Sequence, residues 1–249
     1  MVRKAYILHR ENHPESTSSF AAYEGFYRLG VETSPFYGFG DTPDDIGPEV
    51  MVVGGLTNVW EALEKLGCSP PDPLDYPEEL DKVGHFSERH IQASTLDAVR
   101  ALTGPAFVKP QTQKLFTGFV WHQTREDRLR VACYGDDTPV WVMDVVNFLA
   151  EYRCYVLDGS ILGVHGYKGD WSRAPNLSVV HQAVRDYKSA PRAYAIDFGI
   201  VAPTPHIGDV TTIVEVNDSY ALGNYGLRPE LYAKMLMARW EELTCPMSP

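Results

Sequence analysis

Two runs near the C-terminal end constrain this chain most: Ala193 to Val201 (AYAIDFGIV) and Thr211 to Asp218 (TTIVEVND). Both are rich in β-branched and aromatic residues, and side chains of a strand alternate between its faces. Tyr194, Ile196, Phe198 and Ile200 therefore share one face, and Asp197 points to the other. In the second run Ile213, Glu215 and Asn217 are expected to share a face. An antiparallel hairpin with its loop at 202–210, centred on His206, sets Asp197 directly opposite Glu215. Two carboxylates side by side repel. A divalent cation held by oxygen atoms offsets that repulsion, and Asn217 adds a neutral amide oxygen. This donor set suits Mg²⁺, which keeps several waters and also binds substrate phosphates. A surface hairpin with scattered acids is the other reading of the same spacing.

Two further stretches supply cations. Glu151-Tyr152-Arg153 precedes Asp158-Gly159, a dipeptide that signals a hairpin between apolar runs. Glu151, Arg153 and Tyr155 then face one way, and Tyr152, Cys154 and Val156 the other. A buried Arg needs an anionic partner, which is either Glu151 or a bound anion. Phe107-Val108-Lys109-Pro110 places a Lys at the end of an apolar strand, and Lys114 follows in Gln111 to Gly118, a stretch suited to covering phosphate. Each Lys taken alone reads equally well as a solvated side chain. These cations matter because the chain holds 22 Lys and Arg against 33 Asp and Glu, a formal net charge of −11. Bulk charge thus argues against a nucleic-acid partner, and any anionic ligand must find a few well-placed cations.

Residues 4–8 read as a strand, and Ser16 to Leu29 as a helix with Phe20, Tyr23 and Tyr27 on its apolar stripe and Gly30 at its end. Glu49 to Val53 reads as a buried strand. Thr57 is the expected N-cap of a following helix with Val59, Leu63 and Leu66 on its stripe, closed by Gly67. The Pro- and Asp-rich stretch from Cys68 to Pro77 reads as a connection. Further strands are expected at 106–109, 116–121, 139–146, 151–157, 160–167, 193–201 and 211–217, with helices at 176–189 and from Pro229 onward. Tyr232, Met235, Leu236, Trp240 and Leu243 form the apolar face of the last helix, and Trp240 with its Met-rich surroundings offers a homodimer face. Cysteines 68, 133, 154 and 245 lack metal-ligand spacing, so free thiols in a reducing compartment are expected. No run approaches the roughly 18 apolar residues of a membrane span, and the N-terminus lacks a signal-peptide pattern. A cytoplasmic protein with no membrane partner is expected.

Taken in chain order, the Lys-bearing strand Phe107 to Pro110, a hinge strand Val140 to Val146, Glu151-x-Arg153 with its hairpin, the Asp197 strand and Glu215-x-Asn217 resemble the ATP-grasp superfamily over about 105–245. Within it the chain resembles a compact amidoligase-like clade of bacteria and phages that relies on one Arg and two Lys. Gly223-Asn224-Tyr225-Gly226-Leu227 is similar to that clade as well. The resemblance implies an α/β (α+β) ATP-grasp fold with ATP between two α+β lobes. It also implies a small N-terminal α/β domain over 1–75 and an ATP-grasp domain over 76–249. Lys109 and Lys114 would hold the ATP phosphates. Asp144, Val145 and Val146 would hold adenine at the hinge. Arg153 would stabilise the transferred phosphoryl group, with Lys114 as its catalytic companion. Asp197, Glu215 and Asn217 would bind Mg²⁺. The Gly-rich phosphate loop common in the superfamily is absent, since Gln111 to Gly118 holds one Gly.

The implied activity is an ATP- and Mg²⁺-dependent carboxylate–amine ligase working through an acyl-phosphate on small-molecule or peptide substrates. The alternatives are a kinase on the same fold and a nucleotide-binding module without turnover. Specificity is expected from the N-terminal domain and from the loops at 169–175 and 202–209.

Overall fold

The computed structural model describes residues 1–38, 40–202 and 208–245. The chain opens with β1 (Lys4–Arg10), β2 (His13–Pro14), α1 (Thr17–Arg28), β3 (Glu32–Phe36), β4 (Val50–Val53) and α2 (Leu56–Lys65). β1 lies between β3 and β4, parallel to both, the arrangement that helical crossovers produce. Ser16 caps α1 by accepting from the Ser19 amide. The cap of α2 is Gly55 rather than Thr57, because the helix starts directly at Leu56 and Thr57 falls inside its first turn.

The middle of the chain contains α3 (Glu78–Lys82), β5 (Ile91–Thr95), α4 (Leu96–Ala101), β6 (Ala106–Pro110), β7 (Phe119–Trp121), α5 (Arg125–Arg130) and β8 (Pro139–Met143). Its strands form an antiparallel sheet in the order β5-β8-β6-β7. The expected strand at 116–121 is confined to its last three residues, and the expected strand at 139–146 ends at Met143. β5 and the three short helices carry too little periodicity to be read from sequence. The last third holds β9 (Ala150–Leu157), β10 (Ser160–Gly169), α6 (Leu177–Asp186), β11 (Ala193–Val201), β12 (Val210–Asp218) and α7 (Pro229–Thr244). Its strands form a second antiparallel sheet, β10-β9-β11-β12. Asp158 and Gly159 turn β9 into β10, both with positive φ (46° and 74°), as a tight hairpin requires. The expected hairpin loop around His206 lies outside the described residues.

One face of this second sheet packs Cys154, Val156, Ile196, Phe198 and Ile213 under Val180 and Ala183 of α6. Ile213 therefore lies opposite Glu215 and Asn217 instead of sharing their face. The reason is a β-bulge. Asp197 pairs with Glu215 as expected, but Phe198 pairs with Ile213, which leaves Val214 as an extra residue that reverses the alternation.

The stripe expected of α1 is also on the wrong side. Phe20 and Tyr27 are 56% and 73% exposed, while Ser19, Ala22, Gly25 and Phe26 are buried. α1 packs so tightly on α7 that a Cβ at Gly25 would lie 2.0 Å from the Pro229 carbonyl oxygen. Close helix approach selects the small residues, and the aromatic rings are left outside. The same contact accounts for Trp240, which is buried in a core with Phe26, Leu63 and Tyr155 and donates to the Gly47 carbonyl. It is spent inside the chain and offers no dimer face.

Candidate active site

Three strands of the second sheet place three ionisable residues side by side. Arg153 on β9 pairs with Asp197 on β11, which pairs with Glu215 on β12. The Arg153 guanidinium donates to both carboxylate oxygens of Asp197, at 2.8 and 2.7 Å, and its remaining nitrogen points at the Gly223 carbonyl, 3.4 Å away. The Tyr167 and Tyr225 rings stack on each other, with centroids 4.7 Å apart, and Arg153 lies within 5.7 and 4.9 Å of them. Both members of the pair are buried. Burial pushes the Asp197 carboxyl above its ordinary range against the pull of Arg153, and the neighbouring Glu215 adds to that push.

Glu215 behaves differently. Burial would raise it, but Lys109 from the other sheet outweighs that and holds it below its ordinary range. The Lys109 ammonium donates to Glu215 at 2.8 Å and to Asp75 at 2.6 Å. Burial would lower Lys109, and the two carboxylates raise it instead. The Asn217 amide sits 3.2 Å from Asp197 and 3.3 Å from Glu215.

A cleft of about 770 Å³ runs between the two sheets. Lys109, Lys114, Asp144, Val145, Val146, Glu215 and Asn217, all expected at a site, line it together. Arg153 and Asp197 are not among its walls and lie behind them. Lys114 is exposed with a φ of 62°, so its loop holds the backbone in the left-handed region to present it. The Asp144 carboxylate accepts from the His90 amide at 2.9 Å, which ties the hinge to the segment before β5.

Several cleft residues escaped the sequence reading. Asp75 sits in the Pro-rich connection, where no periodicity marks it. Arg89 lies over the Tyr76 and Phe148 rings and donates to the carbonyl of Val214, bracing the bulge that turns Glu215 into the cleft. Burial drives the Tyr76 phenol up to about 12, so it stays protonated there. Lys168 pairs with Glu151 at 2.5 Å, and Tyr167 donates to the same carboxylate at 2.8 Å. Phe148 packs on Gly199, where a Cβ would lie 2.1 Å from the ring. An isolated Gly inside a strand was the available signal for that close approach.

The donor set fits a divalent cation. No group of three His, Cys, Asp or Glu residues among the described residues is placed to hold a metal, so the amide of Asn217 must complete the set. It already lies between the two carboxylates, and turning it over presents its oxygen in the place of its nitrogen. A carboxylate offers more acceptor positions than two donors fill, so the Arg153 pair leaves Asp197 some capacity.

Residues 86–235 match the family model for an ATP-grasp domain of the one-Arg, two-Lys clade, family 2. The chain belongs to this family. Among solved structures, this ATP-grasp chain is similar to D-alanine–D-alanine ligase from Bacillus anthracis, with a TM-score of 0.60 and 14% identity over 100% of both chains. It is also similar to N5-carboxyaminoimidazole synthase from Aspergillus clavatus, with a TM-score of 0.57 and 12% identity over 95% of this chain and 77% of the other. At such identities the likeness shows a shared ATP-grasp fold. No curated protein matches the chain by sequence. No helix among the described residues is long and apolar enough to cross a membrane.

Proposed function

We propose that this ATP-grasp protein is an ATP- and Mg²⁺-dependent ligase that joins a carboxylate to an amine through an acyl-phosphate. The observation that carries this reading is the Lys109–Glu215 contact, which spans the cleft at 2.8 Å from one sheet to the other beside Asn217. Adenine would lie at Asp144, Val145 and Val146, against Phe148. Lys109 and Lys114 would neutralise the phosphates. Asp197, Glu215 and Asn217 would hold Mg²⁺, which when bound would supply charge for the transferring phosphoryl group. Arg153 would orient Asp197 and add positive charge behind the cleft. Residues 1–75 would form the accessory domain, with the ATP-grasp domain from 76 onward.

Positioning and charge neutralisation are what phosphoryl transfer needs from a protein. A substrate carboxylate oxygen attacks the γ-phosphorus and ADP leaves. The amine then attacks the acyl carbon, phosphate leaves, and the amine gives up a proton. Small-molecule or peptide substrates suit the open cleft, and the fold relatives support this reading: one is a D-alanine–D-alanine ligase, and the other was captured with ADP and 5-aminoimidazole ribonucleotide.

The test is ADP release with panels of carboxylate and amine pairs, followed by product mass spectrometry. A condensed product is expected. A phosphorylated product without condensation would mean a kinase, and ATP binding without turnover on any pair would mean a binding module. Glu215→Ala should abolish turnover, and full activity in that variant would remove Glu215 from the metal set.

A further inference from the structure

Asp75 lies outside the family match, which begins at residue 86, yet it reaches the centre of the cleft. It is 8% exposed, and each end of it is fixed. Its carbonyl accepts from the Val216 amide at 2.8 Å, so the connection runs beside β12 as a short antiparallel bridge. One carboxylate oxygen accepts from Lys109 at 2.6 Å, and the other from the Trp141 indole at 3.2 Å. The Lys109 ammonium is thus held between two carboxylates, Asp75 beside the β12 edge and Glu215 on β12 itself.

This arrangement bears on how a cation reaches Glu215. One Glu215 oxygen is taken by Lys109 and the other is 3.3 Å from Asn217. With Glu215 as its sole partner, Lys109 would have to give up its charged hydrogen bond whenever the carboxylate turned to a metal, and the two cations would compete for one group. With Asp75 present, Lys109 keeps a carboxylate throughout. We propose that Asp75 is a positioning residue that holds Lys109 in the cleft while Glu215 turns to Mg²⁺, so that lysine and metal do not compete for the same carboxylate. This rests on the MgATP reading of the site.

Asp75→Asn keeps an oxygen for Trp141 and leaves the backbone bridge intact, while it removes the charge. ATP binding is measured by calorimetry in EDTA and then across a Mg²⁺ titration at fixed ATP. The Mg²⁺ half-saturation point should rise about tenfold, the loss of one charge-assisted partner. ATP affinity in EDTA should stay equal or tighten, because a negative charge has left the neighbourhood of the phosphates. Asp75→Glu should restore the Mg²⁺ midpoint. If Asp75→Asn does not fold, Asp75→Gln compared with Asp75→Glu reads the same charge difference at equal length. An unchanged Mg²⁺ midpoint overturns the inference and leaves the MgATP reading standing. So does equal weakening with and without Mg²⁺ alongside a lower Tm, since that is what a scaffold residue would show. A wild-type protein that binds no ATP in either condition overturns the MgATP reading itself, and this inference with it.

Discussion

Two ion pairs meet on one face of the β10-β9-β11-β12 sheet and have opposite characters. Arg153–Asp197 is closed: two parallel hydrogen bonds within one sheet, with Arg153 at 7% and Asp197 at 1% exposure and a tyrosine stack over the guanidinium. Lys109–Glu215 is open: one ammonium reaching from one sheet to the other across a cleft, with both side chains about a quarter exposed. The closed pair has spent its donors and needs its geometry to offset desolvation. The open pair links two layers through a contact that a ligand is able to replace. Charge alone does not mark a site. The number of unspent donors and the separateness of the elements that carry them do.

The largest effect expected from breaking this contrast is on the closed pair. Arg153→Met leaves a buried carboxylate without its cation and should cost about 3–5 kcal/mol of stability in denaturant unfolding. A loss below about 1 kcal/mol would show that the pair is solvated like the open one.

The acid side of the stability curve sharpens the contrast further. Glu215 is held below its ordinary value of 4.5, where burial pushes up and Lys109 pulls harder down. A depressed carboxyl adds stability that is present above its unfolded value and is lost as pH falls through its folded value. Glu215→Gln should therefore flatten the fall of stability below pH 4.5. Asp197, pushed upward by burial, has the opposite sign and cannot produce that fall. An unaltered acid limb in Glu215→Gln would mean that Lys109 does not stabilise the ionised form.

The smallest effect belongs to Lys114. Its φ of 62° suits glycine. Lys114→Gly should change stability by less than about 1 kcal/mol, because relief of left-handed strain offsets the entropy of the more flexible unfolded chain. ATP affinity should fall a few-fold. Unaltered ATP affinity would remove Lys114 from the phosphate site.

Much of the site was legible because strand alternation is local. The Asp197–Glu215 register, the shared face of Glu151 and Arg153, and the Asp158-Gly159 turn all follow from spacing and turn chemistry. The small α/β opening and the last helix were legible in the same way. The α1 stripe was not, since Phe20, Tyr23 and Tyr27 read as a core face until the close approach at Gly25 claims the opposite side for α7. Arg153 read as a ligand-facing cation, but a two-fold alternation shows only which face a residue occupies, and Tyr167 and Tyr225 arrive from other elements to cover it.

By itself the sequence determined the strands, their faces and the pairing of the two central carboxylates, because those depend on periodicity and on neighbours a few residues apart. Only the tertiary structure decided which charges remain available. Arg89 braces the Val214 bulge across 125 positions, and Asp75 reaches Lys109 across 34. Such contacts depend on where distant segments pack, and no local pattern encodes that.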